Sequence, residues 1–105
     1  MCKNTLYLSL KEILSNLIFG NMTKLHKKNQ KIRRSQKIRR SQKNIKFQEF
    51  VTWLEDNGFL LARISGSHHI FVHPIIETPI NVQKKKDGTA KAYQIKQAIN
   101  MIDGE

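Results

Sequence analysis

Gly58-Phe-Leu-Leu-Ala-Arg-Ile-Ser-Gly-Ser-His-His-Ile-Phe-Val-His73 is the stretch whose reading decides the fold. Two short apolar runs flank Gly66-Ser67-His68-His69. The first, Phe59 to Ile64, is too short for a typical helix and rich in strand formers; the second, His69 to Val72, carries aromatic and β-branched residues. Gly66 supplies the backbone freedom that a tight reversal needs. The stretch therefore predicts a β-hairpin with a histidine pair where its second strand begins. Alternation puts His68, Ile70 and Val72 on one face of that strand and His69, Phe71 and His73 on the other. Pro74 ends the pairing.

On the N-terminal side, Lys46 to Asn57 reads as the clearest helix. Phe47, Phe50, Val51 and Leu54 follow i, i+3, i+4, i+7, Asn57-Gly58 is a stop signal, and Trp53 falls at the edge of the stripe, half buried. On the C-terminal side, Pro79-Ile-Asn-Val-Gln83 reads as a third strand and Lys84-Lys-Lys-Asp-Gly88 as a charged turn. A closing helix over about 91–102 carries Ala92, Ile95, Ile99 and Ile102 on one stripe, with Ala98 beside them. The order α-β-β-β-α places the domain in the α+β class. Two helices on one face of a three-stranded antiparallel sheet bury both stripes and leave the other face open to a ligand or partner.

The remaining chain is of a different kind. Residues 1–43 hold twelve Lys/Arg and one acid, Glu12, whereas residues 44–105 hold seven of each sign, so the net charge of +11 belongs to the first part. Residues 24–43 carry ten Lys/Arg and no acid, a composition that suits a phosphate-binding arm as well as a solvated extension. Inside lies a perfect duplication, Lys31-Ile-Arg-Arg-Ser-Gln36 followed by Lys37-Ile-Arg-Arg-Ser-Gln42. Six residues turn a helix by about 240°, so Ile32 and Ile38 cannot share one stripe. Without Gly or Pro from Asn21 to Asn57 a helix is permitted, but like-charge repulsion argues for fraying. Residues 5–19 form an amphipathic helical pattern with Leu6, Leu10, Ile13, Leu14 and Leu17 on one face, Asn4 or Thr5 as cap and Gly20 as stop. Lys11 and Glu12 interrupt it, so it does not span a bilayer, and it lacks the shape of a secretory signal. A start at Met22 would make it an upstream extension. The expected organisation is thus 1–21 helical extension, 22–43 basic lead-in and 44–105 folded domain. A single cysteine, Cys2, excludes an internal disulfide framework and points to a reducing, cytoplasmic setting.

Chemistry concentrates on the histidines. His69 and His73, four apart on a strand, lie about 13 Å apart at about 3.3 Å per residue, too far to share a metal ion. No metal or cofactor is expected. His68 follows the Gly-Ser turn at a strand end, where a side chain is both positioned and reachable. A histidine gives or takes a proton near neutral pH, and RNA carries its own nucleophile in the 2′-hydroxyl. The alternative is a strand histidine with no reaction. Ser67 cannot pair directly with His68 on a strand, so it serves a turn hydrogen bond or a phosphate oxygen.

The stretch FQEFVTWLEDNGFLLARISGSHHIFVHP (47–74), then INVQ (80–83) and KAYQIKQAI (91–99), resembles the HicA family of toxin–antitoxin mRNA interferases. The matching positions are Asn57-Gly58-Phe59, Arg63, Gly66-Ser67-His68, Phe71 and His73-Pro74. The resemblance spans roughly residues 45–102 and implies a double-stranded-RNA-binding-domain-like fold, cleavage of mRNA and a HicB-type antitoxin partner in a toxin–antitoxin hetero-oligomer. It implies His68 as the catalytic residue. On the ribonuclease reading, Arg63, Gly66 and Ser67 are expected to place the scissile phosphate and Lys84, Lys85, Lys86 and Lys91 to supply further RNA contacts. No membrane partner is expected. The chain departs from the family where many members carry a Val-Pro-x-His-like segment and a Gly-Thr-Leu approach to the last helix. Here stand Ile80-Asn-Val-Gln83 and Gly88-Thr-Ala-Lys-Ala-Tyr93. A non-catalytic RNA-binding module and a degenerate toxin are the alternative readings.

Overall fold

The computed structural model describes residues 10–104, with side chains from residue 24 onward. Among these residues the order is α1 (Leu10–Arg40), α2 (Phe47–Asp56), β1 (Leu60–Ser65), β2 (His68–Val72), β3 (Ile80–Gln83) and α3 (Ala92–Asp103). The three strands form one antiparallel sheet in the order β1-β2-β3, and α2 and α3 pack on it, as the sequence predicts. No helix among the described residues is long and apolar enough to cross a membrane.

The hairpin forms because Gly66 takes a φ of 61° while Ser67 does not enter the left-handed region. With Ser65 paired to His68, this is a two-residue turn of the II′ kind, which demands glycine at its first central position. The register then fixes the faces. His69, Phe71, Ile80 and Val82 look towards the helices; His68, Ile70, Val72, Asn81 and Gln83 look the other way. A bulge between Leu61 and Arg63 breaks the simple alternation of β1. Leu61 lies opposite Phe71 on the covered side, whereas Arg63 lies opposite Ile70 on the open side. All six β1 residues remain exposed, because this edge strand lies beyond the cover of the helices.

The core joins Phe47, Phe50, Trp53 and Leu54 of α2 and Ile95 and Ala98 of α3 to Phe59, Phe71, Ile80 and Val82. Trp53, expected half buried, is fully buried and stacks on Phe50 at 6.2 Å between ring centres. The reason is that both sides of the α2 stripe are covered, not its centre alone. Ile45 and Ala90 close the core from the two segments that precede α2 and α3, tied by Ala90 N–H donating to Ile45 O at 2.7 Å.

The chain divides into two units, residues 1–32 and 33–105. In the first, α1 runs past Gly20, the stop expected from its sequence. A glycine inside a helix costs only about 1 kcal/mol against alanine, so it does not by itself end one. Leu25 and Ile32 are exposed. The expected caps Asn4 and Thr5, Cys2, and the side chains of the Leu6–Leu17 face lie outside the described residues. In the second unit, the end of α1 does not fray as like-charge repulsion suggested. Ile38 is fully buried in the core. Arg34 pairs with Asp56, Lys37 with Glu49 at 2.7 Å, and Arg39 with both oxygens of Asp103 at 2.9 Å. The end of α1 thus finds the acids that its own neighbourhood in sequence lacks.

Candidate active site on the open sheet face

His68 begins β2 directly after the turn, exposed on the open face. Its two ring nitrogens are both engaged from β3. Nδ1 lies 3.1 Å from Asn81 Oδ1, and Nε2 lies 3.1 Å from the Gln83 side-chain amide nitrogen. The same amide nitrogen donates to Ser67 Oγ at 3.3 Å. The Lys91 ammonium, at the start of α3, donates to Gln83 Oε1 at 2.7 Å. Gln94, buried at 4% exposure, accepts the backbone N–H of Gln83 at 2.9 Å. One turn, one neighbouring strand and one helix start therefore hold a single imidazole at the surface. A neutral ring so held carries one donor and one acceptor nitrogen, which is the equipment for moving a proton.

The residues singled out from sequence divide in space. Ser67 and Lys91 join His68, and Gly66 makes the turn that presents it. Arg63 shares the open face, diagonal to His68 across β1 and β2, a spacing of about 7–8 Å between such positions. Lys84 alternates with Gln83 and so faces the helix side. There it lines a groove of about 510 Å³ with Asn44, Lys46, Phe47, Asp87 and Thr89. Lys85 lies 3.9 Å from Asp87, and Lys86 is exposed in the same turn. Asp87 is held below the ordinary carboxylate range by hydrogen bonds from the Thr89 hydroxyl and backbone. Neither this groove nor the lysine turn shares a hydrogen bond with the His68 cluster among the described residues.

The other two histidines of this stretch, His69 in β2 and His73 just after it, have structural work. His69 lies on the covered face, edge-on to Phe47 at 5.1 Å. His73 donates from Nε2 to Asn57 O at 2.9 Å, accepts at Nδ1 from the backbone N–H of Ile75 and Ile76 at 3.1 and 3.3 Å, and packs edge-on to Phe59 at 5.0 Å. Gly58 lies against this ring. Its φ is 92°, and a Cβ there would meet His73 Nε2 at 2.9 Å. Asn57-Gly58-Phe59 and His73-Pro74 are thus two halves of one clasp between the end of α2 and the end of β2. Among the described residues no three His, Cys, Asp or Glu side chains cluster as a metal site.

Asn81, Gln83 and Gln94 escaped the sequence reading as site residues. The signal was present for the first two. Ile80-Asn-Val-Gln83 alternates apolar and amide side chains, so one face of β3 is core and the other a row of carboxamides. What the sequence did not supply was the register, His68 opposite Gln83, that brings this row to the histidine.

Two comparisons with known proteins found nothing: no match emerged among curated proteins, and none among solved structures. A third succeeded. A family model described as HicA toxin of bacterial toxin-antitoxin matches residues 47–102, from the first residue of α2 to the last turn of α3.

Proposed function

The chain belongs to the HicA toxin family of bacterial toxin–antitoxin systems, and from that premise we propose that it is a metal-independent endoribonuclease that cleaves mRNA, with His68 as its acid–base catalyst. The observation that carries this reading is the exposed His68 imidazole, fixed by Asn81 and Gln83 beside the Ser67 hydroxyl on a sheet face left open by both helices. A shallow open face suits a polymer that must lie across it. In the reaction, His68 accepts the proton of an RNA 2′-hydroxyl. The 2′-oxygen bonds to the adjacent phosphorus, the bond from phosphorus to the 5′-oxygen breaks, and that oxygen takes its proton from the imidazolium. The products are a 2′,3′-cyclic phosphate and a 5′-hydroxyl, and His68 returns to its starting state.

In this reading Arg63, on the same face, contacts a non-bridging phosphate oxygen, with Ser67 and the Gly66 turn at the near edge. Lys84, Lys85 and Lys86 extend the basic surface beyond the site, and the exposed lysines and arginines of 24–33 add non-specific affinity for the backbone. The partner is a HicB-type antitoxin. Its contact surface is the open face around His68, Ile70 and Val72, enlarged by Leu60, which lies opposite Val72 and is 62% exposed. Docking there would bury apolar area and cover the histidine together. An antitoxin complex that leaves His68 accessible and active would remove this assignment.

The test is cleavage of a defined mRNA in EDTA by wild type beside His68→Ala. Acid–base groups contribute about 10²–10⁴-fold, so the variant should lose activity on that scale while RNA affinity is retained. Equal cleavage by both proteins would move the chemistry elsewhere. RNA binding without cleavage by either would favour the non-catalytic module or the degenerate toxin.

A further inference from the structure

The donors and acceptors around His68 leave only one consistent arrangement of protons. An ammonium donates and never accepts, so the end of the Gln83 amide that meets Lys91 Nζ at 2.7 Å must be the oxygen. The other end, the NH₂ group, therefore meets His68 Nε2 at 3.1 Å. An NH₂ group only donates, so Nε2 must be the bare, accepting nitrogen. The ring proton then resides on Nδ1, where Asn81 Oδ1 accepts it at 3.1 Å. Gln94 holds the Gln83 backbone from the core side at 2.9 Å, which fixes where the amide starts from. We infer that Gln83, oriented by Lys91, is a positioning residue that keeps His68 in its Nδ1–H tautomer, with Nε2 unprotonated.

The inference deepens the reading of His68 as acid–base catalyst and rests on it for its catalytic meaning. It also gives Lys91 a task other than touching phosphate. When Nε2 takes the proton of the 2′-hydroxyl, its new N–H faces the Gln83 NH₂, donor against donor. The 2′-hydroxyl displaces the Gln83 NH₂ from the single Nε2 lone pair before its proton moves, and the Gln83 contact is regained when the imidazolium passes its proton to the leaving 5′-oxygen. Gln83 thus favours the state in which His68 begins and ends the cycle. In this chain an amide, which does not itself titrate, sets the tautomer.

The experiment reads the tautomer directly. Full-length protein labelled with ¹⁵N-histidine is examined by long-range ¹H–¹⁵N correlation at a pH where the His68 ring is neutral, its signals assigned by their absence in His68→Ala. Wild type should show a protonated Nδ1 and a bare Nε2, two widely separated nitrogen signals. Gln83→Leu should let the two signals converge as the tautomers mix, and Lys91→Met should do so in part by freeing the amide to turn. Lys91→Arg keeps a donor at Gln83 Oε1 and should restore the separation, which an effect on folding alone would not do. Cleavage by Gln83→Leu should fall about tenfold, a part of the 10²–10⁴ carried by the histidine, with RNA affinity retained. A wild-type His68 protonated on Nε2, or a tautomer unchanged in Gln83→Leu, would overturn the inference even if His68 proves essential. An inactive wild type with the expected tautomer would instead strike the catalytic reading and leave the proton arrangement standing.

Discussion

Replacing Ile38 with alanine should destabilise a fold that replacing Ile32 leaves untouched, although the two isoleucines occupy the same place in identical hexamers. Ile38 has no exposed surface, whereas Ile32 is 45% exposed. The substitution removes three carbon groups, worth about 2.4 kcal/mol at about 0.8 kcal/mol per buried CH₂. The unfilled space among the α2, Ile45 and α3 side chains adds to this, and measured losses for such truncations run to about 2–5 kcal/mol. Alanine's better helix propensity returns a few tenths, but equally at both sites, so the pair of variants cancels it. A loss of about 3 kcal/mol is large for a compact unit of residues 33–105, whose whole stability is on the order of 4–11 kcal/mol. At about 4–8 °C per kcal/mol the melting temperature should fall by about 12–24 °C for Ile38→Ala. Ile32→Ala should stay within about 0.5 kcal/mol of wild type. Circular dichroism on heating and in urea gives both numbers, and hydrogen exchange over residues 33–40 tells global unfolding from release of the end of α1 alone. Two small and equal effects, with unchanged exchange protection, would refute the view that the second hexamer is built into the core.

Two more outcomes are expected. Gly58→Ala should cost about 1–3 kcal/mol for the left-handed backbone alone, before its Cβ meets the His73 ring at 2.9 Å, so urea unfolding should shift to a lower midpoint; an unchanged midpoint would sink the clasp between α2 and β2. Arg39 holds the Asp103 carboxyl below its ordinary range, by hydrogen bonds first and by charge second. Because the folded value is the lower one, the pair's contribution is complete above the unfolded carboxylate value of about 3.9 and is lost as pH falls through the lowered folded value. Asp103→Asn should remove that part of the acid dependence, read as a flatter melting-temperature curve below pH 4; an identical curve would mean the pair is not formed in solution.

Most of the architecture was legible because it is written in local patterns. A 3.6-residue stripe in Phe47–Leu54, a glycine that alone can make a two-residue reversal at 66, and alternation in Ile80–Gln83 each state an element and its buried face without reference to anything distant. The position of His68 after Gly66-Ser67 was legible for the same reason, since a turn fixes its own neighbours. Three things were not. The core position of Ile38 depends on acids at 49, 56 and 103, which lie between 12 and 64 residues from the basic side chains they pair with and cancel a repulsion that, seen locally, predicts fraying. The Arg63 face depends on a bulge, and one extra residue reverses every side chain of the strand beyond it. The row of amides facing His68 depends on how β3 registers against β2, a choice made by Phe71 and Ile80 meeting in the core rather than by any residue of the site. Sequence alone thus determined the elements and the histidine, because short-range sterics and periodicity determine those. Only the tertiary structure decided what surrounds the histidine, because pairing register is settled by the apolar face and carries the polar face with it.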